Sequence, residues 1–314
     1  MFVFLTACRN EARILPEFFE EFQQMIRRAA LAGRTRLYVV DDLSTDRSVE
    51  LLEEFQRSAI DIEVHIIRVP TNLGNQGALF FGLVQVQLEP GDTLITFDCD
   101  GEDDVAAIPS ILELAAANPG KVVVIERGRR TESALFKLSF SCYKRIFRVL
   151  TRQKVIPNNF LLMPGSFAGT LQRSPLAAVH FAYAALKLHP QYVATVRDRR
   201  RRYGGQTSQN GFMLVSHGLV GLMVFFEVVV AKIFMLLFLL GGIAVGLVGC
   251  GVIMPASWLN AHRIVFWGIA FSFVIAVWLL GLLLSAAFAL IFRLITFTLA
   301  RAAAERLTES TLRG

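Results

Sequence analysis

The chain has 314 residues, of which 54% are hydrophobic and only 18% charged, and its formal net charge is +6. Its mean hydropathy is +0.50. A soluble domain carries about a quarter charged residues, so these proportions exclude both a disordered chain and an ordinary water-soluble globule.

The predicted elements begin with a strand over Phe2–Ala7. Met1–Cys8 has no basic segment before it and is ended by Arg9, which reads as a buried first strand rather than a signal peptide. Leu15, Phe18, Phe19, Phe22 and Ile26 fall on one side of a helix predicted over Leu15–Leu31. A strand at Leu37–Val40 runs into Asp41-Asp42. A helix follows over Asp46–Gln56, with Ser44 or Thr45 as its candidate N-cap. Then come a strand at Ile62–Val69, a helix at Gly77–Leu88 and a strand at Thr93–Phe97 ending at Asp98. A helix at Val105–Ala117 and a strand at Val122–Ile125 complete the series. Strands alternating with helices predict an α/β domain whose sheet is mostly parallel. Such sheets bind ligands at the carboxyl ends of their strands, where the acidic pairs stand.

Ala134–Arg152 is a different kind of helix. Lys137, Ser141, Lys144 or Arg145, Arg148 and Arg152 recur at helical spacing beside Leu135, Leu138, Phe140, Phe147 and Leu150. A basic amphipathic helix can lie on an anionic membrane surface. Ile233–His262 and Ile264–Phe292 contain no Lys, Arg, Asp or Glu. Each exceeds the roughly 20 residues that cross a bilayer. They predict two transmembrane helices, at about 228–254 and 264–292. Glu227 and Lys232 flank the first, placed to pair or to snorkel. The tail at 293–314 carries Arg293, Arg301, Arg306 and Arg313, whereas the loop between the spans carries only Arg263. Positive residues favour the inner side, so the N-terminal domain and the tail are expected on the cytoplasmic side of the inner membrane.

Charge is segregated along the chain. Residues 1–120 hold 20 acids and 9 bases, 121–208 hold 3 acids and 17 bases, and 209–314 hold 3 acids and 6 bases. An acidic segment followed by a basic one and then by membrane points to a cation site beside an anion site, not to nucleic acid. Cys8, Cys99, Cys142 and Cys250 form no C-x-x-C pair, and His180, His189, His217 and His262 are scattered, so neither type predicts a metal site.

Three segments carry the chemistry. In Phe97-Asp98-Cys99-Asp100-Gly101-Glu102-Asp103-Asp104, the alternation Asp98, Asp100, Glu102 after a strand can aim carboxylates at one Mg²⁺ or Mn²⁺ ion. A calcium-hand loop is a poor match, because Gly101 stands fourth where the sixth position is required. Asp41-Asp42-Leu43-Ser44-Thr45-Asp46 can hold a base or a ribose. In Asn72-Leu73-Gly74-Asn75-Gln76-Gly77-Ala78, two glycines before a helix allow a ligand to approach the backbone.

In this order on one sheet, the three motifs and Asn10-Glu11 resemble the family 2 glycosyltransferases of the GT-A fold. The closest subgroup is the polyisoprenyl-phosphate glycosyltransferases, similar to dolichyl-phosphate mannose synthase. The resemblance covers about residues 2–210. It implies a Rossmann-like mixed-sheet domain at 1–208, with 134–152 as a membrane-interface helix. A membrane domain would follow at 209–314, with a juxtamembrane helix, both spans and the tail. It implies Mg²⁺ or Mn²⁺ held by Asp98, Asp100 and Glu102, and a nucleotide-sugar bound by Ala7, Arg9, Glu11, Asp42, Gln76 and Asp98. It assigns the acceptor phosphate to Arg127, Lys137 and Ser141, and catalysis to Asp98, Asp100, Arg127 and Arg202. Arg202-Tyr203-Gly204-Gly205-Gln206-Thr207-Ser208 resembles the loop that closes on the donor. The implied partners are a UDP- or GDP-sugar, a polyprenyl phosphate, the membrane and a second copy in a homo-oligomer, with no nucleic acid.

Two departures stand out. Arg9 replaces an aromatic residue, and the segment Ile156-Pro157-Asn158-Asn159-Phe160 lacks the family's acid, leaving Asn158 or Asn159 to position the acceptor. A processive polysaccharide synthase would carry Gln-x-x-Arg-Trp, but no Trp precedes Trp258. A catalytically silent membrane scaffold is disfavoured by the intact Asp98-x-Asp100 pair.

Overall fold

A computed structural model describes residues 1–128, 134–155, 159–189, 191–197, 218–249, 267–268, 271–272, 274–281 and 283–284. The chain divides into two units, one of Met1–Arg145 with Lys154–Val224 and one of Ile146–Gln153 with Phe225–Gly314.

The first unit is built on a seven-stranded sheet. In chain order the strands are β1 (Phe2–Cys8), β2 (Thr35–Asp41), β3 (Glu63–Arg68), β4 (Thr93–Thr96), β5 (Val122–Arg127), β6 (Leu161–Pro164) and β7 (Tyr192–Arg197). Their spatial order is β3-β2-β1-β4-β6-β5-β7. All pairs are parallel except those of β6, which runs antiparallel to β4 and β5. The expected mixed α/β sheet is therefore present. The chain winds outward from β1 to β3, then returns to place β4 on the other side of β1. That reversal opens a crevice between the carboxyl ends of β1 and β4, where such sheets bind ligands.

Helices α1 (Leu15–Arg28), α2 (Ser48–Ser58), α3 (Gly74–Gln85), α4 (Ile108–Ala116) and α5 (Ala134–Thr151) agree in type with the periodic segments. A 3-10 turn at Val105–Ala107 leads into α4. Three further helices, α6 (Gly165–Gln172), α7 (Pro175–Val179) and α8 (Phe181–Leu188), lie between β6 and β7. The apolar spacing does not separate β6, α6, α7, α8 and β7, because strands buried on both faces and short helices leave no clean period.

Two apolar cores result. Val3, Leu5, Leu79, Leu83, Met163 and Phe181 belong to one. Phe4, Phe18, Phe22, Phe55, Phe97 and Phe160 belong to the other. In the second, Phe4 meets Phe22 edge-on with centroids 5.1 Å apart. Helix α3 comes so close to the sheet that a Cβ on Gly82 would sit 2.4 Å from a Val40 methyl.

Asp92, 5% exposed, ties the start of β4 to its neighbours. It accepts hydrogen bonds from the Met1 amino group at 2.8 Å, Arg36 Nη2 at 2.7 Å and the Glu89 N–H at 3.0 Å. Burial alone would raise its pKa. The bonds from Met1 and Glu89, with the charges of Met1 and Arg36, outweigh burial and hold it below the ordinary carboxylate range. A depressed pKa contributes stability above the unfolded value near 4, lost as pH falls through the folded value. Asp92→Asn is expected to cost about 2 kcal/mol at pH 7 and to flatten the stability profile below about pH 4. Chemical denaturation at pH 7, 4 and 3 checks this.

In the second unit, α9 (Phe226–Gly249) is the helix long and apolar enough to cross a membrane among the described residues, over Phe226–Ile243. Met235, Leu236, Phe238 and Leu239 are exposed on it. Lys232 Nζ donates to Val149 O at 2.6 Å, so it caps the last turn of α5. Within the expected second span, 274–281 are helical, and Gly281 lies against the Phe234 ring. Residues 267–268, 271–272 and 283–284 of that span are helical as well; its remaining residues and the 293–314 tail lie outside the described residues.

Candidate functional site

The site is assembled at the carboxyl ends of β1, β2 and β4. Phe97 is fully buried and anchors the loop that follows β4. Gly101, at φ +84°, supplies the left-handed turn that brings the acids back on themselves. Asp103, 3% exposed, accepts the Asp98 N–H at 2.9 Å, and Asp100 Oδ1 accepts the Glu102 N–H at 3.0 Å. Asp98, Asp100 and Glu102 stay half-buried. Cys99 between them points inward and donates to Ala7 O at 3.4 Å. Hydrogen bonding to Cys8 and burial push its thiol well above the ordinary value, aided by the charges of Asp100 and Glu11.

No group of three or more His, Cys, Asp or Glu that could hold a metal ion occurs among the described residues. Asp98 and Asp100 nevertheless offer carboxylate oxygen, the donor that hard divalent cations take, while Cys99 stays neutral. The residues fit Mg²⁺ or Mn²⁺ when a bound ligand supplies further oxygens.

The loops after β1 and β2 are clasped together. Asn10, at φ +55°, donates its N–H to Ser44 Oγ at 3.0 Å and accepts the Thr45 N–H on Oδ1 at 2.7 Å. Glu11 N–H donates to Ser48 Oγ at 2.8 Å, and Ala12 N–H to Asp46 Oδ2 at 3.1 Å. Burial would raise the Asp46 pKa, but its bonds from Ser48 and Ala12 outweigh that and lower it. The expected cap is corrected: α2 starts at Ser48 with Arg47 at its N-cap and no side-chain cap bond. Ser44 and Thr45 are engaged with Asn10 instead, because φ +61° at Leu43 turns the loop toward β1. Asp42 is 3% exposed and accepts the Leu73 N–H at 2.7 Å, which fixes the loop before α3. Ala7 and Glu11 are half-buried and Arg9 is exposed at the same edge.

The glycine segment also differs from expectation. Helix α3 begins at Gly74, three residues earlier than predicted, so Gly77 lies inside it. A Cβ on Gly77 would meet Leu73 Cβ at 2.8 Å, so this glycine makes room for a side chain rather than for a ligand. Gln76 is drawn inward: its Oε1 accepts the Phe181 N–H at 2.9 Å and its Nε2 donates to Asn159 Oδ1 at 2.9 Å. Asn159 Nδ2 donates to Asn75 Oδ1, and Asn75 Nδ2 to Asp98 Oδ1, both at 3.1 Å. The structure thus brings Asp42, Gln76, Asp98 and Asp100 to one region. Asn10 and Asn75, which stand inside the quoted motifs, join it, as does Asn159, one of the two asparagines the sequence offered for the acceptor. What the sequence did not show is their partners, which are 34 or more residues away, apart from the 23 between Asn75 and Asp98.

Arg127 ends β5, Lys137 lies in α5, and Ser141 is exposed on α5. The side chains of Arg127 and Lys137, together with Asn158 and 198–217 including Arg202, lie outside the described residues.

Residues 4–174 match the family model described as glycosyl transferase family 2. The chain is 33% identical over 149 residues to an undecaprenyl-phosphate 4-deoxy-4-formamido-L-arabinose transferase of Pectobacterium carotovorum subsp. carotovorum, covering 45% of this chain and 43% of that protein. A protein of the same name from Pseudomonas fluorescens is 31% identical over 125 residues, covering 40% of this chain and 35% of its own. The matches therefore span less than half the length of these curated relatives. Among solved structures, glucosyl-3-phosphoglycerate synthase from Mycobacterium tuberculosis, in complex with phosphoglyceric acid, is similar with a TM-score of 0.53 at 13% identity. That match covers 71% of this chain and 79% of the other. The same synthase with Mn²⁺, uridine-diphosphate and glucosyl-3-phosphoglycerate gives 0.50 over the same shares. At this identity the likeness concerns the fold.

Proposed function

Because this chain belongs to glycosyl transferase family 2, we propose that it moves a sugar from a UDP- or GDP-sugar to a polyprenyl phosphate at the cytoplasmic face of a membrane. The observation that carries the reading is the Asp98-x-Asp100 turn at the crevice between β1 and β4, in a chain that also has a membrane-length helix. The names of the curated relatives support the acceptor, and α9 supports residence at a membrane.

The reaction needs little base catalysis. A phosphate monoester has a second pKa near 6 and is largely dianionic at pH 7. Its oxygen attacks the anomeric carbon as the bond from that carbon to the nucleoside diphosphate breaks, with inversion. The electron pair leaves on the diphosphate. Asp98 and Asp100, with Glu102 beside them, hold the divalent cation, which when bound neutralises the charge growing on the leaving group. Asp42, Glu11, Ala7 and Arg9 border the nucleoside. Arg127, Lys137 and Ser141 take the acceptor phosphate, and Arg202 closes over the donor diphosphate. Arg199–Arg201 favour the anionic leaflet, at about 1 kcal/mol per residue.

The test uses the full chain in detergent with Mn²⁺ or Mg²⁺, undecaprenyl phosphate and a panel of UDP- and GDP-sugars. Nucleoside diphosphate release and a new glycolipid are scored by mass spectrometry. A lipid-dependent product that disappears in Asp100→Ala is the expected result. Diphosphate release without glycolipid would move the acceptor elsewhere, and no release with any donor would favour a silent scaffold.

A further inference from the structure

Asp98 terminates a one-way chain of hydrogen bonds that starts on helix backbone. The Phe181 N–H, at the first residue of α8, donates to Gln76, Gln76 to Asn159, Asn159 to Asn75, and Asn75 to Asp98. The direction has no alternative. A backbone N–H only donates, so Gln76 must give it an oxygen and turn its NH₂ to Asn159. The same constraint passes to Asn159 and then to Asn75. At the other end an ionised carboxylate only accepts. Asn159 is 5% exposed, and its backbone oxygen is held by the Thr96 hydroxyl of β4. Its amide therefore sits in a fixed, largely water-free place where aligned dipoles reinforce one another.

We propose that Gln76 and Asn159 are positioning residues which, through Asn75, set how strongly Asp98 binds the cation of the nucleotide-sugar. This rests on the reading of Asp98 as a cation ligand. The polarity of the chain presents an N–H to Asp98 Oδ1, which fixes the direction of the carboxylate. An acid at position 76 or 159 reverses that polarity. It accepts from the next amide, each downstream amide turns over, and Asn75 then faces Asp98 with its oxygen. Gln76 thus acts on a metal ligand from two side chains away.

The test is Mn²⁺ binding to the full chain in detergent at pH 8, measured from the free-ion EPR signal with and without UDP or GDP. Nucleotide-dependent binding by the native chain, lost in Asp98→Asn, is the baseline. Gln76→Glu, nearly isosteric, is expected to weaken that binding by about 10–100-fold while the unfolding temperature without metal is little changed. Gln76→Met breaks the chain without reversing it and is expected to weaken binding several-fold less than Gln76→Glu. Where Gln76→Glu does not fold, Asn159→Asp makes the same reversal. Native affinity in the folded acid variant overturns the relay, and so does equal weakening by Gln76→Glu and Gln76→Met. No nucleotide-dependent binding by the native chain, or its survival in Asp98→Asn, removes the cation-ligand reading itself and the relay with it.

Discussion

Asp98→Asn is expected to lower sugar transfer by about 10²–10³-fold while leaving the protein folded. The substitution keeps the shape of the side chain and removes its charge. The backbone N–H of residue 98 still reaches Asp103, so the turn retains its main tether. On the proposed reading, what is lost is a carboxylate at the crevice between β1 and β4, where the leaving diphosphate would gain charge in the transition state. A stabilising charge removed there raises the barrier more than it weakens ground-state binding, so kcat is expected to fall with kcat/KM. Removing metal with EDTA should abolish transfer by the native chain, and added Mn²⁺ should restore it. In the variant, Mn²⁺ should restore only part of the rate, at a higher concentration. Rates over a Mn²⁺ titration with thermal unfolding in parallel make the measurement. Full activity in Asp98→Asn would move the metal, or the chemistry, away from this turn.

Phe22→Ala is the second large effect, and it acts on stability. Phe22 is fully buried between α1 and the sheet, 5.1 Å from the Phe4 ring, 5.7 Å from Phe18 and 6.1 Å from Phe97. Three aromatic neighbours cannot collapse into the space it leaves without breaking their own edge-on and tilted contacts. A loss of about 3–5 kcal/mol is expected. For a unit of this size that lowers the unfolding temperature by roughly 10 °C. Phe97 directly precedes Asp98, so the same cavity loosens the support of the site. Thermal unfolding by circular dichroism checks the stability, and Mn²⁺ binding well below the midpoint checks how much of the site survives. A shift under about 2 °C would mean that the neighbouring rings refill the cavity.

The alternation of elements was legible from Phe2 to Ile125, because each strand is a short β-rich run and each helix has an apolar side at 3.6-residue spacing. The Asp98-x-Asp100 turn was legible because strand alternation continues past Thr96: Cys99 faces inward and the two acids do not. The start of α3 was not. The notion of a glycine loop rests on composition, whereas Leu73 packs over Gly77 and extends the helix to Gly74. Nor was the role of Ser44. A Ser before a helix reads as a cap, yet its hydroxyl serves Asn10, which is distant in sequence and adjacent only once β1 and β2 pair.

The sequence by itself determined the fold class, the acidic turn, the basic segment that follows it and the membrane-length apolar run. These are properties of residue type at short spacing, and solvent or lipid acts on them locally. The tertiary structure alone decided the antiparallel entry of β6 and the clasp around Asn10. It also decided the direction of the amide chain from α8 to Asp98. Each depends on which distant backbone group occupies the neighbouring position, and for Asn159 that also fixes which atom of the amide faces Asn75. A buried amide has donors and an acceptor to offer, and only the partners fixed by the fold determine which one it presents.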